Sequence, residues 1–328
     1  MNHPKESLPA VIRDRANLMR EIRAWFDERG FWEVQPPCLS CECIVDLHID
    51  PITVSSDQFG LAVDVPDRYF LQTSPEAAMK RMLAAGAPSI YSIGPAFRSG
   101  ERGAEHNLEF TMLEWYQLDA GYEEGVRLLG SLAEQLLDQP GFDVVCYRNL
   151  FQDQFSFDPI EVELDILQDC ILDLEGGAAT ADLAKSLAGD RDGLLEAIWS
   201  LAVQPSLGTE RPVIVRNYPL SQAALAKIAE DDPDCAARFE LFADGVELAN
   251  GYHELGDPVV LQERFEKFNR ERMQVGKKKL PLPERFLKAM QAGLPPCSGV
   301  AMGVDRLLMV RTGRAEIEKV LAFPIELA

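Results

Sequence analysis

The sequence predicts an α+β fold in which an antiparallel sheet is flanked by helices. Two strand-like segments, 90–97 and 108–118, flank one polar loop, and a second pair is joined by a short turn near Asp244. These segments do not alternate regularly with crossover helices, as they would in a doubly wound parallel sheet. The chain of 328 residues, 47% hydrophobic and 26% charged, has a globular composition.

The helices are predicted from apolar periodicity together with start and stop residues. The first runs from about Ile12 to Arg29 and is stopped by Gly30, with apolar residues at Ile12, Ala16, Met19, Ile22, Trp25 and Phe26. The second spans 77–85, and Pro75 and Glu76 suit its first turn. Two more are expected, one over 259–275 and one that follows a glycine-rich turn at 298–303.

Strands are predicted at 31–37, 68–72, 90–97, 108–118, 213–217 and 239–255. The segment between about residues 121 and 235 is helix-rich and acidic, and no chemical motif stands out in it. We therefore expect a single catalytic domain over residues 1–328 with a helix-rich insertion at about 121–235.

The charge balance disfavours a large nucleic-acid substrate. With 32 Lys+Arg against 53 Asp+Glu, the formal net charge is −21, whereas proteins that grip phosphates usually present a basic face. The 7 scattered cysteines are typical of free thiols in a reducing cytoplasm. Cys38, Cys41 and Cys43 cluster, but no second Cys/His pair lies at zinc spacing. We expect no membrane span and no export signal.

The polar loop at 98–107 is the first candidate for chemistry. It carries arginines and His106, and a guanidinium offers a fork of donors that matches phosphate oxygens. Phe110, where the next strand begins, has a ring that suits stacking on a purine. The alternative is a solvated loop beside a core phenylalanine.

The predicted hairpin at 239–255 is the second candidate. If Ala243 and Asp244 are its central pair, Glu240 and Glu247 lie directly opposite each other. Two facing carboxylates repel, and Mg²⁺ bridging them to substrate phosphates would compensate. A solvent-facing pair at a sheet edge is an equally good interpretation.

Glu254 and Arg306 complete the candidate residues. Glu254 suits a substrate cation, although a single loop glutamate is usually only solvated. Arg306 follows a glycine-rich turn that opens a helix, where backbone N–H groups and a guanidinium both meet phosphate. The alternative is a set of packed glycines with a surface arginine. No Ser/His/Asp set, HExxH or Walker-type loop occurs.

Taken together, these segments resemble the three signature motifs of class II aminoacyl-tRNA synthetases, in particular the lysyl branch. The first helix and the strand ending at Pro37 resemble motif 1, which builds the family's dimer interface. Residues 97–116 (FRSGERGAEHNLEFTMLEWY) resemble motif 2, and 299–306 (GVAMGVDR) resemble motif 3. Residues 245–255 (GVELANGYHEL) resemble the lysyl branch's substrate and metal segment. The match covers almost the whole chain in the right order.

The resemblance implies ATP and Mg²⁺ as cofactors, a homodimer, and a set of site residues. The nucleotide would contact Arg98, Ser99, Gly100, Glu101, His106, Asn107, Phe110, Glu247, Leu248, Gly303 and Arg306. The amino acid would contact Ser74, Pro75, Glu76, Tyr116, Glu254 and Ala301. Glu240 and Glu247 would bind Mg²⁺.

Within these sets, the resemblance implies particular roles. Arg98 would hold the α-phosphate, and Phe110 and Arg306 would sandwich adenine, so that Arg98 and Arg306 act as the catalytic residues. Tyr116 and Glu254 would hold the side-chain ammonium of lysine. Ser74 and Glu76 would meet the other amine, while His106 would reach the outer phosphates and Asn107 would assist at the nucleotide.

One departure affects the nucleotide contacts. The family usually has F-R-x-E, whereas this chain has Phe97-Arg98-Ser99-Gly100-Glu101, so the acid is displaced by one position. Glu101 is therefore only a candidate for the adenine amino contact.

A second departure affects the function. Synthetases of the lysyl branch carry an N-terminal OB-fold that reads the anticodon, whereas here the motif 1 helix starts within about a dozen residues. The chain resembles free-standing relatives that attach (R)-β-lysine, and α-lysine less well, to a lysine of elongation factor P. Those relatives share Ala301, where the synthetases have glycine. Two rival hypotheses are a stripped-down enzyme that charges tRNA and a non-catalytic amino-acid or nucleotide sensor.

Overall fold

A computed structural model describes residues 8–59, 66–174 and 176–328. The described chain divides into two compact units. The first comprises the residues up to Gly121 together with Glu254–Ala328, and the second comprises Tyr122–His253. The second unit thus contains the segment expected as an insertion and also the predicted hairpin.

The elements run in chain order through both units. The first unit opens with α1 (Leu8–Asp27), β1 (Trp32–Glu33), β2 (Leu39–Ser40), β3 (Thr53–Ser55), β4 (Arg68–Leu71), α2 (Glu76–Ala84), β5 (Ile90–Phe97) and β6 (Glu109–Leu118). The second unit contains α3 (Tyr122–Leu137), β7 (Asp143–Cys146), α4 (Tyr147–Phe155), α5 (Leu164–Asp173), α6 (Ala178–Ser186), α7 (Arg191–Ile198), β8 (Val213–Pro219), β9 (Cys235–Ala243) and β10 (Val246–His253). The first unit ends with α8 (Pro258–Gln274), α9 (Glu284–Ala292), β11 (Cys297–Gly303) and α10 (Val304–Thr312).

The main sheet of the first unit has the order β1-β5-β6-β11. Strand β6 pairs antiparallel with both β5 and β11, and the short edge strand β1 pairs parallel with β5. Helix α1 buries its apolar stripe: the Phe26 ring stacks on Tyr91 at a centroid distance of 4.6 Å and also contacts Trp115. The α+β prediction is confirmed, and the observed α1, β5 and β6 agree closely with their predicted spans.

Strand β11 corrects one local prediction. The segment 298–303, expected to be a glycine-rich turn, is a strand in which Gly299 pairs with Tyr116 and Ala301 pairs with Glu114. Glycine is required at 299 because a Cβ atom there would overlap both the Glu254 carboxylate and the Tyr116 ring. These glycines therefore provide close packing inside a sheet, and helix α10 begins directly after Gly303.

The second unit has four strands in the order β10-β9-β8-β7. Strands β8, β9 and β10 are antiparallel, whereas β7 pairs parallel with β8 and was not predicted. Helices α4–α7 enclose an apolar cluster in which the Tyr147 ring stacks on Trp199 at a centroid distance of 4.9 Å. Among the described residues of the chain, no helix is both long and apolar enough to cross a membrane.

The register of the β9–β10 hairpin also differs from the prediction. Glu240 pairs with Asn250, and Glu247 pairs with Phe242, so the two glutamates are not directly opposite. The reason is the turn: Asp244 and Gly245 both have positive φ, at 51° and 75°, and such a turn needs Gly, Asn or Asp at these positions. Ala243 at a central position would be strained. Glu247 instead becomes a diagonal neighbour of Glu240.

Candidate active site

A buried cluster of charged side chains lies in the first unit, between α2 and the end of the sheet. Lys80 of α2 is fully buried, and its Nζ atom lies 2.6 Å from Oε1 of Glu76 and 2.5 Å from Oε2 of Glu254. Burial acts to lower the pKa of Lys80, but the charges of Glu254 and Glu76 outweigh it and raise the pKa. Lys80 is therefore an ammonium ion bridging two carboxylates.

Glu114 of β6 is the third carboxylate of this cluster. Its side chain accepts hydrogen bonds from the Ser74 hydroxyl at 2.6 Å and from the Tyr116 hydroxyl at 2.7 Å. Burial and then the nearby charge of Glu76 raise the pKa of Glu114 to about 8, against the opposing effects of Ser74, Tyr116 and Lys80. Burial thus disfavours the charged form of Glu114, whereas its two hydroxyl donors favour that form.

The start of α2 holds the predicted amino-acid contacts in place. The Ser74 hydroxyl accepts a hydrogen bond from the backbone N–H of Glu76 at 3.0 Å, and Pro75 lies buried between them. Ser74, Glu76, Tyr116 and Glu254, predicted from three separate segments, thus meet in one cluster. Across the sheet, Ala301 stands opposite Glu114.

Sequence reasoning missed two members of the cluster, although both carried a signal. Glu114 lies two positions from Tyr116 on a strand, so that both side chains point to the same face. Lys80 lies four positions after Glu76 on a helix, which is the spacing of an ion pair. Neither spacing reveals that the side chains are buried.

A second group of predicted residues surrounds the β5–β6 loop. The Arg98 guanidinium lies 5.1 Å from the centre of the Phe110 ring, donates to the carbonyl of Thr73 at 3.3 Å, and lies 3.7 Å from the Glu101 carboxylate. The displaced acid Glu101 therefore lies beside Arg98, where it can orient the guanidinium.

Arg306 reaches the same loop from α10. Its Nη2 atom is 2.7 Å from Nε2 of His106, and its Nε atom donates to the carbonyl of Glu105 at 3.3 Å. Gly303 caps the N-terminus of α10, so that Arg306 lies in the first turn, where backbone N–H groups favour anions. The loop and the helix together bring His106 and Arg306 into contact.

The remaining predicted loop residues have contacts within the protein. The Asn107 side chain is buried; it donates to the carbonyl of Glu109 at 2.7 Å and accepts from the N–H of Ile325 at 3.4 Å. The Ser99 N–H donates to the carbonyl of Asp50 at 2.8 Å, and Gly100 has a φ of 80°. These contacts shape the loop, which needs glycine at 100.

A partly buried ion pair, not predicted from the sequence, joins the three motif segments. Asp305 pairs with Arg15 of α1 and accepts a hydrogen bond from the backbone N–H of Thr111 at 2.6 Å. Arg15 also donates to the Thr111 hydroxyl at 3.2 Å. Asp305 precedes Arg306, and Thr111 follows Phe110. This network therefore fixes the backbone beside Arg306 and Phe110, the two residues that are expected to contact adenine.

The second unit holds the predicted metal ligands. Glu240 is buried and accepts hydrogen bonds from the Tyr218 hydroxyl at 2.6 Å and from Nε of Arg238 at 3.2 Å. Burial raises the pKa of Glu240, as does the charge of Glu247, while Arg238 and Tyr218 oppose that rise. Leu248, next along β10, is buried at the irregularity between Glu247 and Ala249.

These two carboxylates fit a magnesium ion that also binds phosphates. Mg²⁺ is usually held by one or two carboxylates together with substrate oxygens, and a cation would relieve the repulsion that raises the pKa of Glu240. Within the described part of the chain, no group of three or more His, Cys, Asp or Glu side chains could hold a metal by itself. Cys38, Cys41 and Cys43 are free thiols.

Comparison of the sequence with known proteins identifies a family of enzymes with an α+β catalytic domain of this kind. The family model of class II tRNA synthetases (D, K and N) matches residues 1–327, and the chain belongs to that family. Among curated proteins, those of Enterobacter sp. (strain 638) and Salmonella typhimurium are each 38% identical over 327 residues, which is 99% of this chain and 98% of theirs. Both are named elongation factor P–(R)-β-lysine ligase.

Proposed function

We propose that this protein is an ATP-dependent, AMP-forming ligase that activates (R)-β-lysine, and α-lysine less well, and transfers it to a lysine side chain of elongation factor P. The similarity to ligases of that name extends over 99% of the chain. The proposal also requires a site suited to a diamino acid and to ATP.

The observation that carries the proposal is the cluster of the buried side chains of Glu114 and Glu254 with the largely buried Glu76. These three acidic side chains outnumber the ammonium group of Lys80, which bridges Glu76 and Glu254, so the cluster favours further cationic groups. Tyr116 and Ser74 add hydroxyl groups next to them. A diamino acid would supply two ammonium groups to this acidic cluster.

The residues around the β5–β6 loop suit ATP. Arg98 and Arg306 would stabilise the charge that spreads over the α-phosphate as the substrate carboxylate attacks it in line. Phe110 would stack on adenine, and His106 would reach the outer phosphates. No side-chain nucleophile is required, because positioning and charge stabilisation can carry this reaction.

Magnesium would be held by Glu240 and Glu247 and would neutralise phosphate charge. In the first step the carboxylate oxygen bonds to the α-phosphorus, pyrophosphate leaves with the electrons of the broken P–O bond, and an aminoacyl-adenylate forms. In the second step, the neutral ε-amine of the acceptor lysine attacks the acyl carbon, AMP leaves with the bonding electrons, and the amine loses a proton to solvent as the amide bond forms.

We further propose a homodimer built on the motif 1 segment. Trp32, which follows α1, has 65% of its surface exposed, and a large apolar side chain of this kind suits a subunit interface. Sedimentation of the wild-type protein beside a Trp32→Glu variant tests this, since the charge should shift the protein towards monomer.

A competition assay tests the function. The enzyme is incubated with ATP, Mg²⁺ and labelled (R)-β-lysine or α-lysine, and elongation factor P and lysine tRNA are offered together. We expect label on the protein, in greater amount with (R)-β-lysine. Label on the tRNA would make the protein a tRNA-charging enzyme, and the absence of both label and AMP would contradict an enzymatic function.

A further inference from the structure

The β5–β6 loop is held by the C-terminal segment, residues 313–328, which follows α10. The Arg102 guanidinium donates to both carboxylate oxygens of Glu326, from Nε at 2.6 Å and from Nη2 at 3.0 Å. The backbone N–H of Ile317, earlier in the same segment, donates to the carbonyl of Ala104 at 2.7 Å. The tip of the loop is thus joined to the C-terminal segment through a side chain and through the backbone.

The tip of the loop has little burial of its own. Arg102, Gly103 and Ala104 are exposed, and the backbones of Gly103 and His106 exchange two hydrogen bonds, of 3.2 and 3.4 Å. Segments with few buried contacts open locally at a low cost in free energy. The contacts with the C-terminal segment therefore have a large share in setting the conformation of the tip.

Arg102 is engaged within the protein at all three nitrogens of its guanidinium. Besides the two bonds to Glu326, its Nη1 atom donates to the carbonyls of Gly103 at 3.2 Å and His106 at 3.5 Å. The ring of His106 in turn contacts Arg306. Arg102 thus connects the C-terminal carboxylate to the part of the loop that meets the first turn of α10.

We propose that Arg102 and Glu326 are positioning residues for the nucleotide, a role that rests on the proposed function. Their ion pair holds the loop in the arrangement that brings His106 against Arg306 before ATP arrives. A bidentate pair of arginine and carboxylate fixes direction as well as distance. When a binding-competent arrangement is populated for only part of the time, the apparent affinity for the ligand falls by the same fraction.

The direction of one change separates positioning from a simple effect of charge. Glu326→Gln removes a negative charge beside the loop that is expected to bind phosphates. If charge alone mattered, or if Glu326 held Arg102 back from a phosphate, the variant would bind ATP more tightly. Positioning predicts the opposite: the dissociation constant should rise about three- to fivefold, as expected for the loss of an exposed ion pair of good geometry.

Two measurements on the full-length protein test this proposal. Isothermal titration of ATP with Mg²⁺ gives the dissociation constant, and amide hydrogen exchange without ATP reports the opening of the loop. For Glu326→Gln and for Arg102→Gln we expect weaker ATP binding and faster exchange in peptides that cover residues 99–107. The double variant should bind ATP within about twofold of the weaker single variant, because both changes remove the same contact.

Kinetics and a matched control distinguish positioning from general damage. Exchange of pyrophosphate into ATP should show a raised KM for ATP, with kcat and KM for (R)-β-lysine close to those of the wild type. Glu316→Gln removes the same charge from the same segment, but Glu316 pairs with Lys319 at 3.2 Å, so this variant should behave like the wild type. Because Glu326 is exposed, Glu326→Gln should keep the wild-type melting temperature.

The outcomes separate this inference from the proposed function. Unchanged or tighter ATP binding by Glu326→Gln, or unchanged exchange of the loop, would overturn the positioning role and leave the proposed function intact. If the wild type neither bound ATP nor exchanged pyrophosphate in the presence of a diamino acid, the proposed function would fail, and this inference with it.

Discussion

Gly299 is the residue at which a single methyl group should damage the amino-acid site most selectively. A Cβ atom built at this position overlaps the Glu254 carboxylate and the Tyr116 ring, and both belong to the buried cluster. Ordinary contacts between such atoms need more than 3.4 Å, so both neighbours must move by roughly 1 Å. Gly299→Ala should therefore displace Glu254 and Tyr116 without removing any polar group.

The expected magnitude follows from that displacement. A misplacement of about 1 Å at a reacting or binding group costs on the order of 100-fold in rate, and overpacking a core costs about 1–3 kcal/mol of stability. We expect kcat/KM for (R)-β-lysine to fall by about 100-fold, mainly through KM, with KM for ATP nearly unchanged. Exchange of labelled pyrophosphate into ATP measures these constants.

Gly94→Ala provides the matched control. Gly94 lies on β5 of the same sheet, and a Cβ atom there meets nothing within 4 Å. Its constants should stay close to those of the wild type. If Gly299→Ala kept the wild-type KM for the amino acid while folding normally, the close packing around Glu254 and Tyr116 would have no part in substrate binding, and the reasoning would be wrong.

Three further predictions concern other residues. Ala301→Gly should shift the ratio of (R)-β-lysine to α-lysine activation towards α-lysine, because the methyl group stands opposite Glu114; an unchanged ratio in pyrophosphate exchange would contradict this. Glu247→Gln should raise the Mg²⁺ concentration for half-maximal activity several-fold, whereas Asp244→Asn, at the exposed turn, should not. The raised pKa of Glu114 should favour the folded protein at low pH, and this contribution should be lost as the pH rises from the usual glutamate pKa towards about 8. Denaturant unfolding measured between about pH 5.5 and 8 should therefore show a flatter pH profile for Glu114→Gln than for the wild type.

Much of the secondary structure could be predicted from local sequence patterns. Helix α1 and strands β5 and β6 were predicted because their apolar residues repeat with the period of the element and because Gly30 gives a clear stop. Strand β7 was missed since it has only four residues and is held by parallel pairing with β8, which is distant in the chain. The glycines of β11 were taken for a turn because their packing partners lie on other elements.

The hairpin was predicted in the right part of the chain, but the two residues at the centre of its turn were predicted wrongly. The Asp-Gly pair was recognised, but the turn was placed one residue too early, and each residue of displacement changes which side chains face each other. The positive φ angles of Asp244 and Gly245 decide the register. Glu240 and Glu247 remain close enough to affect each other's charge, although their pairing differs from the prediction.

Several residues of the candidate site were predicted, but the ion pairs among them were not. Ser74, Glu76, Tyr116 and Glu254 were chosen by resemblance, and the structure brings them together. Lys80 was missed because burial of a lysine depends on two carboxylates, one of which lies on a distant part of the chain. A single sequence shows the spacing between Lys80 and Glu76 but gives no sign of Glu254.

Lys80 links the stability of the fold to the selectivity of the site. The buried carboxylate of Glu254 without a cation would destabilise the fold, since an unpaired buried charge costs several kcal/mol by order of magnitude. The Lys80 ammonium offsets that cost by bridging Glu254 and Glu76. The three acids of the cluster still outnumber this one ammonium, and under the proposed function the ammonium groups of a diamino acid would supply further positive charge.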